Sequence, residues 1–225
     1  NQLNPNSLLY QIITHLALNK NPEQYSDEDL SCLMKIIELN TLNSIMFSDP
    51  FLKTIFLNKL ILKTNTPIFY LDFDLLYSGY VTSNIISLRN GVTLYRPTKD
   101  DWIKTLKTIL LKLSENKSML IMDSLNGLFN LHNEKKDAGR LINSHIMFLS
   151  CVAKMSNSCI VLPSIIRKKN DEEWVLSITG RHVIESKQMT RIQLDQINSN
   201  MIANVIGEKD NTKKSIKIPI QSELI

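Results

Sequence analysis

Apolar residues recur at helical spacing from Ser7 to Leu18, where Leu8, Leu9, Ile12, Ile13, Leu16 and Ala17 define one face of an amphipathic helix. Asn19 to Tyr25 reads as a turn. Ser26-Asp27-Glu28-Asp29 then has the form of a capping box, opening a second helix that runs through Glu38. From about residue 42 the period alternates between 2 and 3.6. The pattern predicts a strand Ser44 to Phe47, a helix Lys53 to Lys63, a strand Pro67 to Asp72, a connection centred on Gly79 and a short strand Val92 to Tyr95. A helix Thr98 to Ser114, a strand Ser118 to Asp123, a long helix from about Lys136 to Met155 and a strand Ser158 to Leu162 follow. Beyond that point the helical pattern stops. Trp174 to Thr179, Met189 to Asp195, Met201 to Ile206 and Ser215 to Ile220 are strand-like runs with short connections.

Strands alternating with helices and then strands alone predict an α/β fold: a mostly parallel central sheet flanked by helices, closed by a C-terminal antiparallel meander. The division expected is a short N-terminal helical appendage over residues 1–41 and an α/β core over 42–225. No internal repeat, low-complexity tract or linker interrupts it. A length of 225 residues suits one well-buried domain with a small addition.

Composition narrows the function classes. At 43% hydrophobic and 21% charged residues the chain is globular. Lys and Arg total 26 against 22 Asp and Glu, a net +4 that permits nucleic-acid binding without demanding it. Cys32, Cys151 and Cys159 lie on apolar stretches without C-x-x-C spacing, which argues against a disulfide framework or a zinc site. The histidines His15, His132, His145 and His182 show no ligand spacing, so no metal site is expected. No run of about eighteen apolar residues and no signal-like start is present, so a cytoplasmic protein without a membrane span is expected. G-x-S-x-G and G-x-G-x-x-G elements are missing as well.

The candidate chemistry starts at Asp123. It ends the apolar run Met119-Leu120-Ile121-Met122, and open α/β sheets hold ligands at the C-terminal ends of such strands. Upstream, Ile45 to Ile55 reads as a strand, a turn and a helix start that contains Lys53-Thr54. A phosphate cradle of the G-x-x-x-x-G-K-[ST] type turns successive backbone N–H groups inward at positive φ, which requires glycine. Here Leu52 precedes the lysine, Pro50 has no N–H, the stretch from Ser48 to Lys53 is about one residue short, and no glycine occurs before Gly79. Lys53 and Thr54 therefore read either as a vestigial nucleotide site or as the start of a surface helix. Asp123 reads either as its former metal partner or as a strand-end acid capping nearby backbone.

Taken with Ile68-Phe69-Tyr70-Leu71-Asp72-Phe73-Asp74, Ser124-Leu125-Asn126-Gly127-Leu128-Phe129 and Thr190-Arg191-Ile192-Gln193-Leu194, these stretches resemble the RecA-like ATPase core shared by the archaeal RadA recombinases, their paralogues and the KaiC-like proteins. The resemblance covers about residues 42 to 220 and implies a RecA-like fold with a degenerate Walker A-type loop. It also implies that Asp74 stands where active members carry the glutamate that activates water. A shorter acid and a loop without glycines imply a pseudo-ATPase in which Asp74 and Asp123 are vestigial and no residue is assigned as catalytic. No F-x-x-A element for self-polymerisation is visible.

The resemblance further implies that the segment after Leu162 approaches single-stranded DNA. It reads Pro163 to Trp174 and contains Arg167, Lys168 and Lys169, with Arg181 following. These cations suit phosphates and Trp174 offers a stacking face. Asp171 to Glu173 oppose that reading, and a solvated charged hairpin is the alternative. Three functions remain open. The first is a nucleic-acid-binding accessory factor in DNA recombination or repair. The second is a non-catalytic scaffold subunit similar to the RecA-like subunits of Elongator, holding a protein partner in a hetero-oligomer. The third is a nucleotide-responsive switch binding Mg-ATP through Lys53, Thr54 and Asp123.

Overall fold

The structure is a computed structural model that describes residues 27–132, 134, 136–169, 173–176, 189–207 and 211–220, with residues 27–29, 168–169 and 173–176 described by their backbone alone. The expected helix Ser7 to Leu18 and the candidate Arg181 lie outside these residues. The described elements are α1 (Asp27–Leu39), β1 (Leu42–Phe47), α2 (Pro50–Lys63), β2 (Ile68–Asp72), α3 (Leu76–Thr82), β3 (Val92–Tyr95), α4 (Trp102–Glu115) and β4 (Met119–Asp123). Then come α5 (Leu125–Leu131), α6 (Ala138–Met155), β5 (Cys159–Lys169), β6 (Glu173–Leu176), β7 (Met189–Ile197), β8 (Asn200–Ile206) and β9 (Thr212–Pro219).

Among the described residues one mixed sheet of nine strands runs in the order β3-β2-β4-β5-β1-β7-β8-β9, with β6 off this path and paired to β5. Strands β3 through β7 of that order are parallel. The pairs β7 with β8 and β8 with β9 are antiparallel, which is the expected closing meander. β2 and β4 are buried along their whole length, as their unbroken apolar runs require when helices cover both faces.

Two apolar clusters divide the core by sheet face. One joins α1, α2 and α3 to the sheet through Leu33, Ile37, Leu52, Ile55, Phe56, Leu60 and Tyr77. The other joins α4, α5 and α6 through Trp102, Leu106, Ile109, Leu128, Ile142, Ile146 and Leu149. α1, expected within an appendage, thus shares the core of the α/β part, with Leu33 and Ile37 fully buried.

Four local expectations change. α2 begins at Pro50, three residues before Lys53, because Asp49 caps it and proline suits the first helical position. The Gly79 connection is the helix α3; a side chain at Gly79 would meet no atom within 4 Å, so no turn geometry requires the glycine. The Ser124 tail forms α5, capped by Ser124 Oγ, which accepts from the Gly127 N–H at 3.2 Å. The expected loop after Leu162 is strand: β5 continues to Lys169 and folds back on β6.

Candidate functional site

Parallel strands deliver Tyr70, Asp72 and Asp123 to one end of the sheet. Tyr70 lies opposite Ile121 and Asp72 opposite Asp123, so period-2 alternation puts all four side chains on the face that α2 covers. α2 supplies Lys53 to the same place. Lys53 Nζ donates to Asp123 Oδ1 at 2.6 Å, stands 3.8 Å from Asp74 Oδ2, and lies 5.4 Å from the centre of the Phe47 ring. The hydroxyl of Tyr70 donates to Asp123 Oδ2 at 2.6 Å. Lys53 and Asp123 are each 1% exposed and Tyr70 is fully buried. The Asp123–Ser124 peptide bond is cis, and the Phe73 N–H donates to the Asp123 carbonyl at 2.6 Å.

Burial sets the electrostatics. It pushes the Asp123 carboxyl above the usual carboxylate range, while Lys53 and the Tyr70 hydroxyl pull it back. Burial, followed by the charge of Asp123, holds the Tyr70 phenol well above its ordinary value, so it remains a donor. Tyr77 stacks on Tyr70 with ring centres 4.4 Å apart and is pushed up to about 12 by burial and by Asp72.

Asp72 is fully buried. Its Oδ2 accepts from the Ser78 N–H at 2.7 Å, and its Oδ1 has no hydrogen-bond partner among the described residues. Asp74 sits on the turn after β2 with its side chain 30% exposed. A Cβ on Gly127 would fall 2.4 Å from Asp74 Oδ1 and 2.7 Å from Phe73 Cβ, so that glycine is what lets the Phe73-Asp74 turn lie against α5. Leu75 completes the turn at φ 59°, in the left-handed region.

The residues present do not fit Mg-ATP. Only Ser48 and Asp49 separate β1 from α2, too little chain for a phosphate cradle. Asp49 Oδ1 accepts from the Phe51 N–H at 2.8 Å, so a carboxylate already occupies the helix N-terminus where a phosphate would bind. Thr54 Oγ1 donates to the Pro50 carbonyl at 2.9 Å and is thereby turned into its own helix. Lys53 is committed to Asp123. Four acids, Asp49, Asp72, Asp74 and Asp123, and one ammonium on this edge also present the wrong charge to an anion. The described residues hold no group of three or more His, Cys, Asp or Glu suited to a metal ion.

The sequence candidates therefore separate. Lys53, Asp74 and Asp123 come together; Thr54 is close in sequence but faces away from them in its bonding. Arg167 is exposed near the end of β5, where Lys168 lies opposite Trp174 and Lys169 opposite Glu173 in register. The sequence reading missed Tyr70, Asp72 and Asp49 as participants. A tyrosine inside a fully buried strand needs a partner for its hydroxyl, and that signal was present in Ile68-Phe69-Tyr70-Leu71-Asp72.

What the cluster does chemically is clamp. An ion pair and a phenolic hydrogen bond on the two oxygens of one carboxylate join α2, β2 and β4. Among the described residues no helix is long and apolar enough to cross a membrane. The sequence matches no model of a known protein family, and a search of curated proteins finds no similar one.

Proposed function

We propose that this chain is a RecA-like pseudo-ATPase that acts as a nucleic-acid-binding accessory factor in DNA recombination or repair. The observation that carries the first half is the Lys53–Asp123 ion pair at 2.6 Å: the lysine that would meet a phosphate and the acid that would hold a metal satisfy each other. The sheet order, with β1 central and flanked by late strands, supports the RecA-like assignment.

The second half rests on the β5–β6 hairpin. Among the described residues β5 pairs with β4 as far as Val161 and with β1 as far as Ile165, whereas Ile166 to Lys169 pair with β6. Arg167, Lys168 and Lys169 thus lie where β5 continues beyond its pairing with β1 and β4, and Arg167 is exposed. Fluorescence anisotropy of a labelled single-stranded oligonucleotide, at two salt concentrations with and without Mg-ATP, tests this reading. Salt-sensitive binding indifferent to Mg-ATP is expected. Neutralising Arg167, Lys168 and Lys169 together should weaken it and reduce the salt slope by about three contacts at most. An unchanged slope removes the hairpin from the proposal, and ATP-dependent binding removes the pseudo-ATPase.

The second reading, a non-catalytic scaffold subunit, is favoured by the exposed apolar residues of α4 and α6. Absence of oligonucleotide binding at low salt would leave it as the better account.

A further inference from the structure

We propose that the hydrogen bond between Trp102 and His145 is a pH-sensitive latch on the Phe73-Asp74 turn, and that protonation of His145 releases it. The inference concerns the edge that carries Lys53 and Asp123 and is independent of the nucleic-acid reading.

Several elements meet at Trp102, the first residue of α4, which is fully buried. On one side its Nε1 donates to Nδ1 of His145, on α6, at 3.2 Å. On the other its ring meets that of Phe73 edge to face, with centres 5.5 Å apart. His132, which caps the end of α5 and is 3% exposed, has its ring centre 6.3 Å from that of Trp102 and 6.2 Å from that of His145. Phe73 opens the turn after β2, held by its N–H on the Asp123 carbonyl. Asp74, next in the chain, brings its carboxylate to 3.8 Å from Lys53 Nζ. One indole therefore connects an imidazole on α6 to the turn beside the ion pair.

The chemistry of that bond makes it conditional on pH. An indole N–H can only donate, so His145 Nδ1 is the acceptor and carries no proton. An imidazolium has a proton on both ring nitrogens and no lone pair to offer. Protonation at Nδ1 sets one N–H against another at the rim of the indole, which is also the positive edge of the aromatic quadrupole. A cation–π contact does not compensate, because it requires the cation over the ring face and the 3.2 Å contact holds His145 at the edge.

Other charges surround the latch at its periphery. Of the described groups, Lys99, Asp100 and Asp101 lead into α4, and Lys104 and Lys107 lie on its first turns. Glu134, Lys136 and Asp137 join α5 to α6, Arg140 precedes His145 on α6, and Asp74 follows Phe73. All of these are exposed, where water and salt screen them, and Lys99 pairs with Glu134. His132 is the rival titratable ring, and the experiment separates the two.

Release at Trp102 reaches the turn through packing. A buried indole N–H without an acceptor is costly, so the ring moves or admits water. Its edge contact with Phe73 is then lost. Phe73 has no space to follow toward α5, since even a Cβ on Gly127 would fall 2.7 Å from Phe73 Cβ. The turn instead lifts toward solvent, carrying Asp74 away from Lys53.

Nuclear magnetic resonance of the whole chain between about pH 8 and about pH 5, the range in which imidazoles ordinarily titrate, tests the latch. Trp102 and Trp174 give the two indole N–H resonances, told apart with Trp174→Phe. In the native chain the Trp102 indole resonance should shift with the same midpoint as the ring protons of His145. Glutamine accepts from an indole N–H and takes up no proton in this range, so His145→Gln should keep the indole resonance in place. At the acid end, Phe73 amide exchange should be roughly tenfold or more faster in the native chain than in His145→Gln at the same pH. The proposal is overturned if the indole resonance is indifferent to pH, or if it follows His132 while His145 titrates at another midpoint. It is equally overturned if the transition survives in His145→Gln, or if Phe73 exchanges alike in both chains. The comparison of midpoints needs the native chain alone and decides the matter even where His145→Gln does not fold.

Discussion

The residues that decide the fate of the sheet edge are Lys53, Tyr70 and Asp123, and their energetics predict an asymmetry. Breaking a buried ion pair by removing one member leaves an uncompensated charge, which costs about 3–5 kcal/mol. Lys53→Met alone should therefore lower the urea-unfolding free energy by about that amount. Replacing the whole set by apolar residues of similar size removes the desolvation cost together with the attraction, and such changes are often neutral or stabilising. Lys53→Met, Tyr70→Phe and Asp123→Leu combined should unfold at a urea midpoint equal to or above that of the native chain. A combined variant as unstable as Lys53→Met would mean that the cluster supplies net stability.

The tyrosines give a pH test. Tyr77 is pushed up to about 12 and Tyr70 is held well above its ordinary value, against about 10 in an unfolded chain. A group whose folded value is raised contributes fully below its unfolded value and loses that contribution as pH climbs through its folded value. Stability should thus hold to about pH 10 and fall steeply toward pH 12. Phenolate absorbance should reveal tyrosines that ionise only as the chain unfolds; titration of all six tyrosines before unfolding would contradict the buried pair. Raised by burial, Asp123 acts with the same sign at the acid end, where its contribution declines as pH rises above about 4.

Among the elements, α2 is where sequence and structure diverged most usefully. The missing glycines in Ile45 to Ile55 were legible. The helix start was not, because Lys53-Thr54 drew attention to a motif while the local capping chemistry of Asp49-Pro50 decided the boundary. Asp49→Ala should cost about 0.5–2 kcal/mol in unfolding free energy if that cap is real. The resemblance implies a loop at the β5–β6 hairpin, with a charged hairpin as the alternative, and the antiparallel pairing of β5 with β6 is the hairpin. Its strand pairing joins Ile166 to Lys169 with Glu173 to Leu176, beyond the last residues of β5 that meet β1 and β4, and composition does not encode that continuation. α5 escaped because seven residues carry too little periodicity, although Ser124 stood ready as its cap. Gly127→Ala should displace the Phe73-Asp74 turn and destabilise the chain by about 1–3 kcal/mol, read from a thermal melt. A variant as stable as the native chain would show that the turn gives way freely.

For the molecule as a whole, the alternation of strand and helix patterns gave the α/β class, the parallel core and the antiparallel meander directly. It could not give the order of strands, because periodicity reports which face a strand buries and not which neighbours it finds. The candidate site shared that limit. Its acids were visible along the chain, but their convergence with Tyr70 depends on β2 and β4 lying side by side.

The position of β1 has a consequence for synthesis. This apolar strand is made early, yet both neighbours, β5 and β7, are made late, with Phe47 opposite Ile165 on one side and Leu194 on the other. A ribosome adding 5–20 residues per second needs roughly 6 to 24 s to travel from Phe47 to Ile165, the first neighbour to appear. Throughout that interval the middle of the future sheet has no edge to join. Nascent chains arrested after β4 should accordingly be cut by protease within β1 and α2 and recruit chaperones that hold apolar segments, whereas chains arrested after β9 should resist both.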